Sequence, residues 1–180
     1  MIWTKENFLS EKQCQDIIDA NEHRAEPVDY MEFVDSDGNV NERYDIKERD
    51  RRSDICYFQD MSIRNNMIHY LSTKLKVDFH SIDKYEAFHF IKYNEFDHFN
   101  WHNDVTRMGE YYTGLISLNE SYEGGELLYR DSNRKIHQFE KKTGKLYLFP
   151  AKTFHAVKKI SQGTRYSLAT WFFNKNKTAI

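Results

Sequence analysis

One His-x-Asp arrangement occurs among the 8 histidines, at His102-Asn103-Asp104. On an extended chain, residues two apart project from the same face, so this imidazole and this carboxylate can take adjacent positions on one metal ion. They would form two thirds of a facial set of two histidines and one carboxylate. The third ligand has to come from a strand that passes nearby in space, and His155, in FPAKTFHAV, is the candidate. Three protein ligands leave the other positions of an octahedral ion open, which suits a non-haem Fe(II) centre. Arg165 follows ten residues after His155 and opens the run RYSLATWFF. A guanidinium buried there needs an anion, and a carboxylate matches its fork best. Ser167 shares the strand face of Arg165 and can add a hydrogen bond.

These residues need a scaffold, and the pattern after Val77 supplies one. Short runs rich in Tyr, Phe, Ile, Leu and Thr are separated by Gly, Asn, Asp or Pro. They read as strands at 85–93, 111–119, 126–130, 135–140, 145–149, 154–160 and 165–173. Before them the periodicity is helical. Ser10, with Gln13 three residues on, forms a capping-box pattern ahead of Cys14, Ile17 and Ile18. A second helix is predicted from about Met61 to Lys76, with Ile63, Met67, Tyr70, Leu71 and Leu75 on one side. The segment from Asp35 to Asp54 is mostly polar, carries both signs of charge, and reads as a long mobile loop or irregular hairpin turning at Asp37-Gly38. Helices first and many strands afterwards predict a mainly β, α+β domain: a sandwich or barrel with helices packed outside.

Composition narrows the function classes. At 180 residues the chain is the length of one domain, and 39% hydrophobic with 16% aromatic residues argues for a packed core. A formal charge of −2 provides no basic field for nucleic acid or an anionic membrane. No apolar run approaches the roughly 18–20 residues of a membrane span. The start, MIWTKENFLSEKQ, shows no apolar leader, so a cytoplasmic setting is expected. Cys14 and Cys56 are too few for a disulfide framework or a cysteine zinc site.

As an ordered set, further residues give these motifs a family likeness. They are Tyr93 in IKYNEFDHFNWHND, Gly124-Gly125-Glu126-Leu127, Gly144-Lys145-Leu146 with Phe149-Pro150, His155, and Gly163-Thr164-Arg165-Tyr166-Ser167-Leu168 with Trp171. Residues from about 85 to 173 resemble the core of the 2-oxoglutarate- and Fe(II)-dependent dioxygenases of the prolyl 4-hydroxylase-like branch. The opening FLSEKQCQDII resembles that branch's first helix. The resemblance implies a double-stranded β-helix (jelly-roll, cupin-like) core over about 81–174 with helical support over about 1–80, in one domain. It implies Fe(II) on His102, Asp104 and His155. It also implies 2-oxoglutarate held by Arg165 with Tyr93 and Ser167, and Trp171 closing the pocket. O2 is the co-oxidant and ascorbate an auxiliary reductant. Ser117 stands where relatives often carry a tyrosine that touches the cosubstrate, and Arg165 stands where collagen-type enzymes use lysine. The implied reaction is hydroxylation of an unactivated C–H bond, with succinate and CO2 released. Its substrate would be a peptidyl or small-molecule partner, with a prolyl side chain first. Tyr44 and Arg52, in or beside the charged segment, would touch substrate. Neither a nucleic-acid nor a membrane partner is expected, and a monomer or a homodimer would serve equally.

Two other readings use the same residues. An oxidative demethylase of alkylated nucleobases shares the ligand set, but resembles this strand with another arginine where Trp171 stands, and needs a basic surface. A non-catalytic cupin-like module holding a structural metal would want four closed ligands where three are visible. His98 and His102 have the i, i+4 spacing of a zinc helix, which the extended context opposes. His23, His69, His80, His89 and His137 have no partner at ligand spacing and are expected at the surface or as satisfied core residues.

Overall fold

A computed structural model describes residues 1–28, 30–34, 40–45, 47, 50–84, 87–105 and 112–174, with only the backbone described for 30–34, 40–45, 83–84 and 173–174. In chain order the elements begin with β1 (Trp3–Lys5), α1 (Glu11–Asn21), β2 (Glu26–Pro27), β3 (Tyr30–Val34), β4 (Val40–Asp45), β5 (Arg51–Arg52), β6 (Asp54–Phe58) and α2 (Met61–Leu75). There follow β7 (Ile82–Lys84), β8 (Phe88–Tyr93), β9 (His98–His102), β10 (Tyr112–Ser117), β11 (Glu123–Gly124), β12 (Leu127–Arg130) and β13 (Ile136–Gln138). The last are β14 (Leu146–Pro150), β15 (His155–Val157), β16 (Ile160–Gln162) and β17 (Arg165–Asn174).

Two antiparallel sheets face each other. The larger runs β1-β14-β10-β17-β8-β6-β2, with β7 also on β17, and the smaller runs β13-β12-β15-β9-β5. Period-2 alternation sorts every central strand of the larger sheet. On β17, Leu168 and Phe172 face the helices while Arg165, Ser167, Ala169 and Trp171 face the smaller sheet; on β14, Leu146 and Leu148 oppose Tyr147 and Phe149 in the same way. The outer face carries one apolar cluster with α1 and α2, and the inner face carries a second, built around Tyr93, Leu115, Phe139, Tyr147 and Phe149. Both sheet faces are therefore covered, as a jelly roll flanked by helices requires.

The helices form as their caps dictate. Ser10 and Gln13 make the reciprocal capping box, and Cys14, Ile17 and Ile18 are buried. Asp60 caps α2, whose Ile63, Met67 and Leu71 are buried, and Lys76 ends it in the left-handed conformation. Met67 sits directly on the larger sheet because Gly114 on β10 has no side chain there. A Cβ on Gly114 would stand 2.6 Å from the Met67 methyl and 2.8 Å from the Phe172 ring.

Several expectations need correction. The first 80 residues are not purely helical support, since β1, β2 and β6 all join the larger sheet. β1 succeeds because Trp3, Thr4 and Lys5 pair with the free edge of β14. β3, just ahead of the charged segment, pairs with β4 inside it as a hairpin, and β5 then joins the smaller sheet; positions 35–39, with the expected Asp37-Gly38 turn, and 46, 48 and 49 lie outside the described residues. The run 154–160 is two strands, β15 and β16, split at Lys158-Lys159 and assigned to different sheets. The chain is extended at His98–His102, as the ligand reading expects, but this strand, β9, falls outside the strand runs read from the sequence because HFNWH does not alternate.

Gly144 holds φ at +72° at the turn into β14, accepts a hydrogen bond from the Leu9 amide at 3.1 Å, and donates to the Ser117 carbonyl at 2.8 Å. A Cβ at that position would run into the Leu9 carbonyl oxygen. Gly144→Ala is expected to destabilise the protein by roughly 2–4 kcal/mol, combining left-handed strain with displacement of the turn before α1. Urea unfolding monitored by circular dichroism measures the loss.

Candidate metal centre and cosubstrate pocket

His102 closes β9 and His155 opens β15, and the two strands pair so that these residues stand opposite each other. Between Phe99 and His102 the register slips: Phe99 faces Val157, so Asn100 and Trp101 together oppose Ala156. This bulge turns Phe99 and His102 to the same, inner side in spite of their odd spacing. Asp104 is not on a strand with His102, contrary to the expected same-face geometry. The strand ends at His102, the Asn103 side chain accepts a hydrogen bond from the Val105 amide at 3.2 Å, and the Asp104 amide donates to the Ala151 carbonyl at 2.9 Å. A side-chain-closed turn brings the carboxylate back under the imidazoles.

The result is one cluster. His102, Asp104 and His155 each offer a ligand atom, and these atoms lie within 4.8 Å of one another. Both Nε2 atoms stand 3.6 Å from the carboxylate, His102 from Oδ1 and His155 from Oδ2. The Nδ1 atoms lie 2.7 Å from the Asn100 carbonyl and 2.9 Å from the Thr153 carbonyl. Carbonyls only accept, so each Nδ1 carries the proton and each Nε2 keeps its lone pair for the centre. Thr113, on β10, donates to Asp104 Oδ2 at 2.5 Å and fixes that carboxylate. Burial, then the neighbouring His155, pushes the His102 imidazole well below its ordinary pKa, so it is neutral, as a ligand must be. Two imidazoles and one carboxylate in this closeness fit a divalent transition metal with open positions.

Arg165 lies on the inner face of the larger sheet, 2% exposed. It pairs in register with Tyr93 on β8, its guanidinium sits 5.2 Å from the Tyr93 ring centre, and it donates to Ser167 Oγ at 3.2 Å. Among the described residues no carboxylate is within ion-pair distance of it, so most of its fork is available to an anion. A cavity beside Arg165 is lined by Leu115, Ser117, Tyr122, Phe139 and Tyr147. An aromatic chain links it to the triad: Tyr147 on Phe139, Phe139 on Phe149 and Phe149 on His155, with centroids 5.1–5.5 Å apart. Trp171, expected as the pocket's closing ring, stands edge-on to His89 at 4.7 Å.

The remaining expectations divide. Arg52 is half exposed and ion-paired to buried Asp97 at 3.2 Å. The inward guanidinium is that of Arg51, one residue earlier. Tyr44 lies on β4, and its side chain falls outside the described residues. Sequence reasoning favours Arg52 over its neighbour Arg51 in the run Arg51-Arg52-Ser53, and misses Phe99, Thr113 and His89. Thr113 and Asp104 meet only through the fold. The alternation of Arg51, Ser53 and Ile55 was the available signal for Arg51. His89, read as unremarkable, faces inward between Tyr57 and Trp171.

Burial, reinforced by the positive charge of Arg51, lowers the His89 pKa to about 4. A histidine whose folded pKa lies below its ordinary 6.5 stabilises fully above pH 6.5 and loses that contribution as pH falls toward 4, where the unfolded chain takes the proton first. The metal-free protein is therefore expected to lose stability across this window, and His89→Phe to remove roughly 1–3 kcal/mol of the loss. Urea midpoints at pH 7.5 and 4.5 check it.

Comparison with known proteins agrees with this geometry. Residues 88–173 match the family model of the 2OG-Fe(II) oxygenase superfamily. A PKHD-type hydroxylase of Synechococcus sp. (strain CC9605) is 30% identical over 86 residues, 45% of this chain and 39% of that protein. One from Nitrobacter winogradskyi is 38% identical over 59 residues, 33% of this chain and 26% of that protein. The matched stretch thus spans about two fifths or less of these relatives' length. Among solved structures, a Pseudomonas putida prolyl-4-hydroxylase superposes with a TM-score of 0.70 at 17% identity, covering 96% of this chain and 92% of its own. A Trichoplax adhaerens prolyl hydroxylase, solved with a hypoxia inducible factor peptide fragment, gives 0.64 at 18% identity, covering 97% and 84%. The double-stranded β-helix is thus the fold of the prolyl hydroxylases, and residues 88–173 are similar to the core of the 2OG-Fe(II) oxygenase superfamily.

Proposed function

We propose that this chain is a 2-oxoglutarate-dependent hydroxylase acting on an unactivated C–H bond of a prolyl or other amino-acid side chain, peptidyl or free. The observation that carries the reading is the pairing of an open three-ligand cluster with a buried guanidinium on the facing sheet that has no carboxylate partner among the described residues. When bound, iron and 2-oxoglutarate supply the oxidative chemistry: the cosubstrate leaves as succinate and CO2, and one oxygen atom of O2 enters the C–H bond. His102, Asp104 and His155 hold the metal, and their carbonyl and Thr113 hydrogen bonds fix the angle at which they do so. Arg165, with Ser167 and Tyr93 beside it, takes the far carboxylate of the cosubstrate. Phe139, Tyr147, Phe149 and Trp171 exclude water from the space between. No side chain has to accept a proton from substrate, and none is assigned that role. The relatives' names, PKHD-type hydroxylase and prolyl hydroxylase, support an amino-acid side chain as substrate. Neither nucleobase demethylation nor a closed structural metal site is supported by them. No helix among the described residues is long and apolar enough to cross a membrane.

An anaerobic titration with Fe(II) and 2-oxoglutarate tests this. The visible metal-to-ligand charge-transfer band is expected in the wild type and absent in His155→Ala. In Arg165→Ala the cosubstrate should bind roughly 10- to 100-fold more weakly, the loss of a charge-assisted bidentate contact. Absence of the band in the wild type would refute the reading.

Thr113→Val keeps the shape of the side chain and removes the donor to Asp104. Fe(II) affinity is expected to fall about 10- to 100-fold while the thermal midpoint of the metal-free protein moves little. Competition with a chromogenic chelator measures it.

A further inference from the structure

Arg51 is the second buried cation on the inner face, and neither the metal cluster nor the cosubstrate pocket uses it. It is 7% exposed. Its strand pairs with β9 so that Arg51 stands opposite Phe99, and its guanidinium lies 4.5 Å from that ring's centre. The Phe99 ring also stacks on His102, centroids 3.5 Å apart and 15° from parallel. The two contacts bound the distance from guanidinium carbon to His102 ring at about 8 Å.

The nearby acids are committed elsewhere. Asp97 takes Arg52 and the Asn94 amide, and Asp54 takes the Asn94 side chain. Arg51 Nε donates to Ser53 Oγ at 2.8 Å. Among the described residues no carboxylate pairs with it, and its two terminal nitrogens donate to no acceptor. Charge balance makes the same point. With the proposed occupants, a divalent ion offsets the dicarboxylate cosubstrate, and Asp104, whose field reaches Arg51, is the one site carboxylate set against both Arg165 and Arg51. One positive charge therefore remains in the interior. Such a charge is stable only when an anion joins it.

We propose that Arg51 binds a carboxylate of the substrate, and hence that the substrate is an acid whose charged end lies a few bonds from the C–H facing His102, Asp104 and His155. This rests on the hydroxylase reading above. Arg51 then works as a specificity residue: it fixes one end of the substrate and so selects which carbon is presented. Simple propping of Phe99 against His102 would use the guanidinium's flat face alone and leave its terminal donors idle.

The test uses protein loaded anaerobically with Fe(II) and 2-oxoglutarate, its charge-transfer band confirming the centre. The probes are L-proline and the other free L-amino acids beside their primary amides, and a short proline-containing peptide with its C-terminus free or amidated. Binding is read by calorimetry and by perturbation of the band. At least one acid should bind the wild type tenfold or more tightly than its amide. Arg51→Gln should keep the band and lose that preference, while Arg51→Lys keeps part of it. Preference among the free amino acids identifies a small acid; preference in the peptide pair alone identifies a peptide end. The proposal is overturned if no acid binds, if acids and amides bind alike, or if Arg51→Gln retains the preference. Should Arg51→Gln lose the band as well, the wild-type preference and its attenuation in Arg51→Lys decide. A wild type without the band fails the hydroxylase reading instead, a separate result.

Discussion

Everything in the site depends on the pairing of β15 with β9 across the smaller sheet. Hydrogen bonds between the two strands set His155 opposite His102, and the bulge between Phe99 and His102 turns the second imidazole inward. Without the bulge, strict alternation would send Phe99 and His102 to opposite faces, and the triad could not close. The local cost is an interrupted ladder at Asn100 and Trp101. It is offset by the stack of Arg51, Phe99 and His102 on one side and the His155–Phe149 contact on the other. The imidazoles are thus held by packing and by carbonyl hydrogen bonds before any ion arrives, which is how a preorganised metal site keeps its geometry.

The two sheets divide the work. The larger one is the rigid wall: its outer face is sealed by α1 and α2, and its inner face presents Arg165, Ser167 and Trp171 at period two from a single strand. The smaller sheet supplies two of the proposed ligands from paired strands, and a turn tied to Ala151 supplies the third. Arg165 and Arg51 place cations on both sides of the interior, the charge that the proposed carboxylate guests would meet.

Much of this was legible in the sequence, for identifiable reasons. His102 and Asp104 could be grouped by their His-x-Asp spacing, and His155, Arg165 and Ser167 because they fall in aromatic-rich runs bounded by Gly or Pro. The α1 cap was readable because Ser10 and Gln13 are local partners. What escaped depends on contacts distant in sequence or on broken alternation. HFNWH hides β9 because its bulge destroys the period. Thr113 reaches Asp104 only through the packing of β10 against the turn after β9. Arg51 and Arg52 are chemically alike neighbours, and only the side that β5 turns toward β9 separates the one facing the interior from the one paired with Asp97. The early strands β1, β2 and β6 are short and lie next to the stronger helical signals of α1 and α2.

Adjacent residues of β10 have opposite duties: Thr113 looks inward to Asp104, and Gly114 looks outward, where the Met67 methyl group lies against bare backbone. The back of the sheet is therefore not neutral ground for engineering or for drift. A bulkier residue on that side of β10, or a longer one in α2, would lever the strand inward and tilt a carboxylate that never touches the change. Variation in the helical layer thus passes through a single peptide unit into the geometry of the ligands, and this protein's tolerance to mutation should be lowest along that line.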